Sequence, residues 1–181
     1  GKNLYLIGTG TGLAPWLSVA RDPETYEKYE KVVVVHGVRQ VEELAYQHLL
    51  EEELPNHELL GELVRDKLLY YPAVTREPFA NQGRLTTLME NGQMPRTLGL
   101  PDFDPANDRF MICGSPQMLA DFRELLDGRG FSAAPRIVLS LSTSRSTFAA
   151  ERKSDEPPEP RVVCRMYSLA EPHARPAPRL P

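Results

Sequence analysis

Short apolar runs along the chain alternate with stretches in which apolar residues recur every three or four positions. The runs are typical of strands buried on both faces of a parallel sheet, and the spaced stretches are typical of helices that cover such a sheet. Four strands are predicted, over residues 4–7, 31–37, 67–74 and 109–113. This alternation predicts an α/β fold, a doubly wound parallel sheet whose ligands bind at the carboxyl ends of its strands.

The predicted helices begin and end at residues with clear capping preferences. Pro15 suits the first turn of a helix, and Ser115 followed by Pro116 suits a helix start. Helices are predicted over residues 13–20, 41–54, 84–91 and 115–128, and a turn over 21–24.

The first strand is followed by a turn with glycine at every second position, in the sequence G-T-G-T-G-L-A-P at 8–15. Glycine lets the backbone bend sharply and lets a ligand approach without a Cβ in the way. Because a helix begins directly after the turn, its N–H groups and dipole predict an anion site, most simply for a pyrophosphate. The pattern is not the G-x-G-x-x-G dinucleotide motif, since Leu13 stands at the third glycine position, so a plain tight turn is the alternative.

Charge and proline divide the chain near Arg136. Residues 1–136 contain 14 Lys/Arg and 20 Asp/Glu, a net charge of −6, whereas residues 137–181 contain 7 and 5, a net charge of +2. Seven of the 17 prolines fall in residues 157–181. We predict a folded domain over 1–136 and a Ser/Pro-rich tail over 137–181 that is disordered, because it lacks sustained periodicity.

The composition weighs against several classes of protein. A net charge of −4 and a pI near 5.6 argue against nucleic-acid binding, and no apolar run approaches the ~18 residues of a membrane span. The two cysteines, Cys113 and Cys164, give no disulfide framework and suit a reducing compartment. We therefore expect a cytoplasmic monomer that binds neither nucleic acid nor membrane, and we predict no metal site.

Six motifs in this order closely resemble the NADP-binding domain of bacterial ferredoxin (flavodoxin)–NADP⁺ reductases. They are G-T-G-T-G-L-A-P at 8–15, H-G-V-R at 36–39, E-L-A-Y at 43–46, V-T-R-E at 74–77, N-Q-G-R-L at 81–85 and I-C-G-S-P at 112–116. The resemblance covers about residues 1–136. It implies an oxidoreductase in which a β-barrel binds FAD, this domain delivers the nicotinamide of NADP(H) to it, and ferredoxin or flavodoxin is the electron carrier.

The resemblance also implies roles for individual residues. Thr9, Gly10, Thr11 and Gly12 would hold the pyrophosphate, with Thr9 near the nicotinamide. The three arginines at or after strand ends would surround the adenosine 2′-phosphate and adenine; these are Arg39, Arg76 and Arg84. In the catalytic centre Cys113, with Gly114, would lie against the nicotinamide ring as a contact and not as a nucleophile. Without the resemblance, solvated surface arginines and an inert buried cysteine are the alternatives.

Two features depart from the family pattern. No flavin barrel precedes Gly1, so we expect a fragment that is inactive alone, and the family's last strand has no counterpart directly after 132–137. The tail contains R-M-Y-S at 165–168, which resembles the flavin-binding R-x-Y-S of the barrel, but no barrel surrounds it. Two other functions remain open: the reductase component of an oxygenase or flavohaemoglobin-like system, and a catalytically incompetent NADP-binding module.

Overall fold

The protein is described by a computed structural model, which covers residues 2–133 and 163–169 of the 181-residue chain. The strands are β1 (Asn3–Thr9), β2 (Lys31–Val38), β3 (Leu68–Val74), β4 (Asp108–Gly114), β5 (Phe131–Ala133) and β6 (Val163–Leu169). The helices are α1 (Ala14–Ala20), α2 (Pro23–Lys28), α3 (Gly61–Arg65), α4 (Leu85–Glu90), α5 (Gln93–Leu98) and α6 (Pro116–Asp127).

The strands form one six-stranded sheet in the order β3-β2-β1-β4-β6-β5. The first four are parallel, whereas β6 runs antiparallel to both β4 and β5. The predicted α/β fold is therefore confirmed, with a mixed sheet in place of a purely parallel one. Pro72 lies within the edge strand β3, where a missing N–H is tolerated.

Two hydrophobic cores lie on opposite faces of the sheet, because successive residues of a strand point to opposite faces. On one face Tyr5 and Val33 pack against α4, α5 and α6. On the other face Leu6 and Val34 pack with Trp16 of α1 and with Leu50. Both faces of the central strands are therefore buried, so these strands must be apolar at successive positions. The four apolar runs of the sequence meet this requirement.

Two predictions about local structure are wrong. Residues 41–54 do not form a regular helix: a 3₁₀ turn at Val41–Glu43 is followed by a π-helix at Leu49–Glu53, since Leu44 leaves the helical region with ψ of 49°. The predicted turn at 21–24 starts α2, whose N-cap Asp22 accepts a hydrogen bond from the Glu24 N–H at 3.0 Å. Helices α3 and α5 were not predicted.

The prediction of a disordered tail over 137–181 is wrong for the part of it that the structure describes. Residues Val163–Leu169 form β6 and occupy the sheet position between β4 and β5. Tyr167 of this strand is fully buried in the core and lies opposite Phe110 in the β4–β6 register. The rest of the tail, and therefore the predicted domain boundary near 136, lies outside the described residues.

In the described part of the chain, no helix is long and apolar enough to cross a membrane.

Candidate functional site

The glycine-rich turn contains two glycines at positions where a side chain would be strained or would clash. Gly10 has φ of +51°, in the left-handed region that side chains disfavour. A Cβ on Gly12 would lie 2.6 Å from the Cys113 carbonyl oxygen, so only glycine lets the turn pack against the end of β4. Residues Gly10–Leu13 form a 3₁₀ turn that leads directly into α1. Gly10 and Thr11 lie on the exposed side of this turn, where the first N–H groups of a helix lack intrahelical partners.

Thr9 connects the turn to the neighbouring strand ends. It lies opposite Gly37 in the β1–β2 register, and its hydroxyl donates to the Met118 thioether at 3.3 Å. A Cβ on Gly114 would lie 2.3 Å from that sulfur and 3.1 Å from the Thr9 hydroxyl oxygen. The structure therefore brings together Thr9, Gly12, Cys113 and Gly114, as predicted from their positions after strands. Met118 was missed, because its spacing marks it only as a residue on the apolar face of a helix.

Cys113 is fully buried. Its side chain belongs to the core on the α1 face, together with Leu13 and Trp16. This position agrees with the packing alternative for its thiol. The predicted contact of Cys113 with a nicotinamide ring stays a prediction.

Two of the three predicted arginines lie side by side. The backbone pairing of β2 and β3 extends beyond the strands, because the Arg76 N–H donates to the Arg39 carbonyl oxygen at 2.9 Å. Both side chains are exposed. Neither guanidinium makes a hydrogen bond or ion pair with another residue of the described ranges, 2–133 and 163–169. Two positive charges are therefore held at the carboxyl end of the sheet, and within the described ranges no hydrogen bond or ion pair occupies either guanidinium.

Arg84 approaches the same end of the sheet from the loop after β3. The Gly83 N–H donates to the Val74 carbonyl oxygen at 2.9 Å, and Arg84 is the N-cap residue of α4. Its side chain is exposed and, like those of Arg39 and Arg76, is unpaired within the described residues. The structure records no contact that joins it to the other two arginines, so its place in one phosphate site stays a prediction.

Two carboxylates that sequence reasoning left without a role lie among these arginines. Glu43 accepts hydrogen bonds from the backbone N–H groups of Arg39 and Gln40, and Glu77 accepts one from that of Val41. The two backbone bonds, followed by the charges of Arg39 and Arg76, lower the pKa of Glu43. Gln40 and Glu43 form a capping box, which the sequence did not indicate because glutamine is not a usual N-cap residue.

His36 is buried at the end of β2, with an exposed fraction of 1%. Its Nδ1 lies 3.1 Å from the Tyr70 hydroxyl oxygen, and Nε2 has no hydrogen-bond partner within the described residues. Burial lowers the pKa of His36 to about 4, so the ring is neutral at neutral pH. The structure therefore agrees with the interpretation of His36 as a structural histidine rather than a catalytic base.

Comparison with known proteins gives one matching family model, described as "Oxidoreductase NAD-binding domain", over residues 6–124. A ferredoxin–NADP reductase of Azotobacter vinelandii is 58% identical over 137 residues, 76% of this chain and 53% of the relative. Ferredoxin–NADP reductase A of Sorangium cellulosum is 52% identical over 154 residues, 85% of this chain and 55% of the relative. The chain thus spans about half the length of these relatives.

Solved structures show the same fold. A ferredoxin NADP⁺ reductase from Neisseria gonorrhoeae, with bound FAD and NADP, matches with a TM-score of 0.62 and 30% identity over 73% of this chain and 50% of that chain. The CS-b5R domains of human Ncb5or match with a TM-score of 0.52 at 17% identity, over 72% of this chain and 34% of that one, which shows the fold alone.

Proposed function

Because this chain belongs to the family of oxidoreductase NAD-binding domains, we propose that it is the NADP(H)-binding half of a ferredoxin (flavodoxin)–NADP⁺ reductase. The observation that carries the proposal is the set of exposed arginines, unpaired within the described residues, at the carboxyl end of a parallel sheet. The names of the similar relatives support a reductase more than the oxygenase-component alternative.

The described residues fit an NADP(H) molecule laid across the strand ends. The left-handed Gly10 and the exposed N–H groups of the turn suit the pyrophosphate. The guanidinium groups of Arg39, Arg76 and Arg84 are available to the 2′-phosphate and adenine. Guanidinium–phosphate hydrogen bonds are charge-assisted and are therefore strong. The nicotinamide would then reach the ends of β1 and β4, where Thr9, Cys113 and Gly114 meet.

The described residues do not fit a flavin. The R-M-Y-S segment that resembles a flavin motif belongs to β6, and its Tyr167 is fully buried in the core. We propose that FAD is bound by the part of the reductase that this chain does not span. FAD held there would supply the hydride chemistry toward the nicotinamide and the one-electron chemistry toward ferredoxin or flavodoxin. Cys113 and Gly114 would act by positioning the ring. The expected monomer and cytoplasmic location stay predictions.

The proposal is tested by calorimetric titration of the chain with 2′-AMP and with 5′-AMP. Two charge-assisted hydrogen bonds, together worth about 4 kcal/mol, give 2′-AMP a preference on the order of a thousandfold. Replacing Arg76 with alanine should reduce that preference at least about tenfold, because one such bond is worth roughly 1.5–3 kcal/mol.

The matched control is Arg21→Ala. Arg21 is also exposed and has no side-chain hydrogen bond within the described residues, but it follows the far end of α1. Its replacement should leave the preference unchanged. Equal affinities of the unaltered chain for the two nucleotides would contradict the proposal.

A further inference from the structure

The turn that carries Arg39 has three consecutive backbone N–H groups that all donate to carboxylates. The N–H groups of Arg39 and Gln40 donate to one oxygen of Glu43 at 2.7 and 3.2 Å, and that of Val41 donates to Glu77. We infer that Glu43 is a positioning residue for recognition of the 2′-phosphate: its carboxylate fixes the turn from which Arg39 reaches the ligand. This inference rests on the function proposed above.

The hydrogen bonds decide which groups are left for a phosphate. Successive backbone N–H groups in a turn form a concavity that binds anions. Here the Glu43 carboxylate already fills that concavity, so the peptide groups of Arg39 and Gln40 are not available to a second anion. A phosphate at this end of the sheet must therefore be bound by the guanidinium side chains, and their placement depends on the turn.

The two loops that carry arginines are also tied to one another. Glu77 follows Arg76 directly in the chain, yet its side chain accepts a hydrogen bond from Val41 in the other loop. The Arg76 N–H donates to the Arg39 carbonyl oxygen in the opposite direction. Glu43 and Glu77 together thus fix the turn after β2 relative to the loop after β3, and so fix the separation of the two arginines.

Removing Glu43 has two opposite effects on phosphate binding. Glu43 is exposed and carries a negative charge close to Arg39 and Arg76, so loss of the charge alone would favour an anion. Loss of the hydrogen bonds frees the turn, and Arg39 must then be ordered when the ligand binds, which weakens binding. We infer that the second effect is the larger, because the adjacent N–H groups of Arg39 and Gln40 both lose their acceptor and only Val41 keeps its bond to Glu77.

The test compares Glu43→Ala, Glu43→Gln and the control Glu42→Ala by calorimetry with 2′-AMP and 5′-AMP. Glu42 lies in the same 3₁₀ turn, is exposed and has no hydrogen bond within the described residues. We expect Glu43→Ala to lower the ratio of 2′-AMP to 5′-AMP affinity about tenfold, with 5′-AMP affinity held within about twofold. The amide oxygen of Glu43→Gln still accepts both N–H groups, so its ratio should stay within about threefold of the unaltered chain.

Each outcome tests either the positioning role of Glu43 or the proposed function. An unchanged or raised ratio in Glu43→Ala overturns the positioning role, and so does a loss in Glu43→Gln or Glu42→Ala as large as that in Glu43→Ala. If the unaltered chain itself does not prefer 2′-AMP, the proposed function fails, whatever the variants do. Urea unfolding of each variant separates a change in the turn from a change in overall folding, because the turn is exposed and its loss should leave the unfolding midpoint in place.

Discussion

The two ends of the parallel strands use their polar side chains in opposite ways. At the amino end, buried Asp108 accepts hydrogen bonds from the Asn3 amide and from the Asp104 N–H, both at 2.8 Å. At the carboxyl end, Arg39 and Arg76 are exposed and unpaired within the described residues. At the amino end, the polar groups therefore stabilise the fold. At the carboxyl end, backbone contacts hold the charged residues in place, and their side chains are available to a ligand.

The arginines of the chain show the same contrast. Arg109 and Arg129 donate to backbone carbonyl oxygens, and the Arg129 guanidinium also lies over the Phe103 ring. Elsewhere in the described residues, Arg21 also lacks a side-chain hydrogen bond, but it caps the far end of α1. A lone exposed arginine is ordinary surface, whereas Arg39 and Arg76 are joined by a backbone hydrogen bond at the strand ends.

The largest expected effect comes from the removal of β6, a change that disturbs both the amino and the carboxyl end of the sheet. A chain that ends at Arg136 loses the strand between β4 and β5 and loses Tyr167 from the core. Loss of a buried aromatic side chain alone costs about 3–5 kcal/mol, so the truncated chain should unfold at a much lower urea concentration. A chain that ends at Leu169 keeps β6 and is the control. Equal stability of the 136-residue and full-length chains would show that β6 contributes nothing to the fold.

The next effect separates stability from binding. Asp108→Ala leaves the buried Asn3 amide without its acceptor, at about 1–3 kcal/mol, and removes a hydrogen bond of the exposed residue Asp104, worth about 0.5–1.5 kcal/mol, so the free energy of unfolding should fall by about 2–4 kcal/mol. The ratio of 2′-AMP to 5′-AMP affinity should not change. Asp102→Ala, at an exposed position of the same loop, should shift stability by less than about 0.5 kcal/mol. A variant of Asp108 that loses the nucleotide preference would contradict the division between the two ends.

The fold was predictable where the pattern itself dictates the structure. The first four strands are apolar at nearly every position because both faces of the sheet are covered. Strand β6 was missed because its stability comes from pairing with β4, some fifty residues earlier in the chain, and not from local composition rich in proline and charge. The irregular backbone at 41–53 was missed because the predicted apolar face is not buried as one face. Leu44 is buried, whereas Val41 and Ala45 are exposed, and the backbone leaves the helical conformation at Leu44.

The candidate site was predictable to the same extent as the fold. A glycine turn after a strand and arginines after two more strands can be identified from order along the chain, because parallel strands bring their carboxyl ends together. The contact between Thr9 and Met118 joins residues 109 positions apart, and Glu77 reaches Val41 across 36 positions. Such contacts depend on side-chain conformation after folding, so no local spacing indicates them.

The smallest expected effect concerns the exception at the carboxyl end, buried His36. Its pKa is about 4 in the folded chain against 6.5 for an unperturbed histidine, so the unfolded chain binds a proton first as the pH falls. The contribution of neutral His36 to the free energy of unfolding is therefore fully present above pH 6.5 and is lost as the pH falls toward 4. Between pH 7.5 and 5.0 this loss amounts to about 1–2 kcal/mol.

His36→Asn removes the titrating ring and keeps an amide near the position of Nδ1, so its urea-unfolding free energy should fall less over that pH interval. Tyr70→Phe is the control, because it removes the hydroxyl beside Nδ1 while the histidine stays buried. That variant should lose stability at both pH values and keep the steep pH dependence. If His36→Asn is as sensitive to pH as the unaltered chain, His36 is not held neutral by burial.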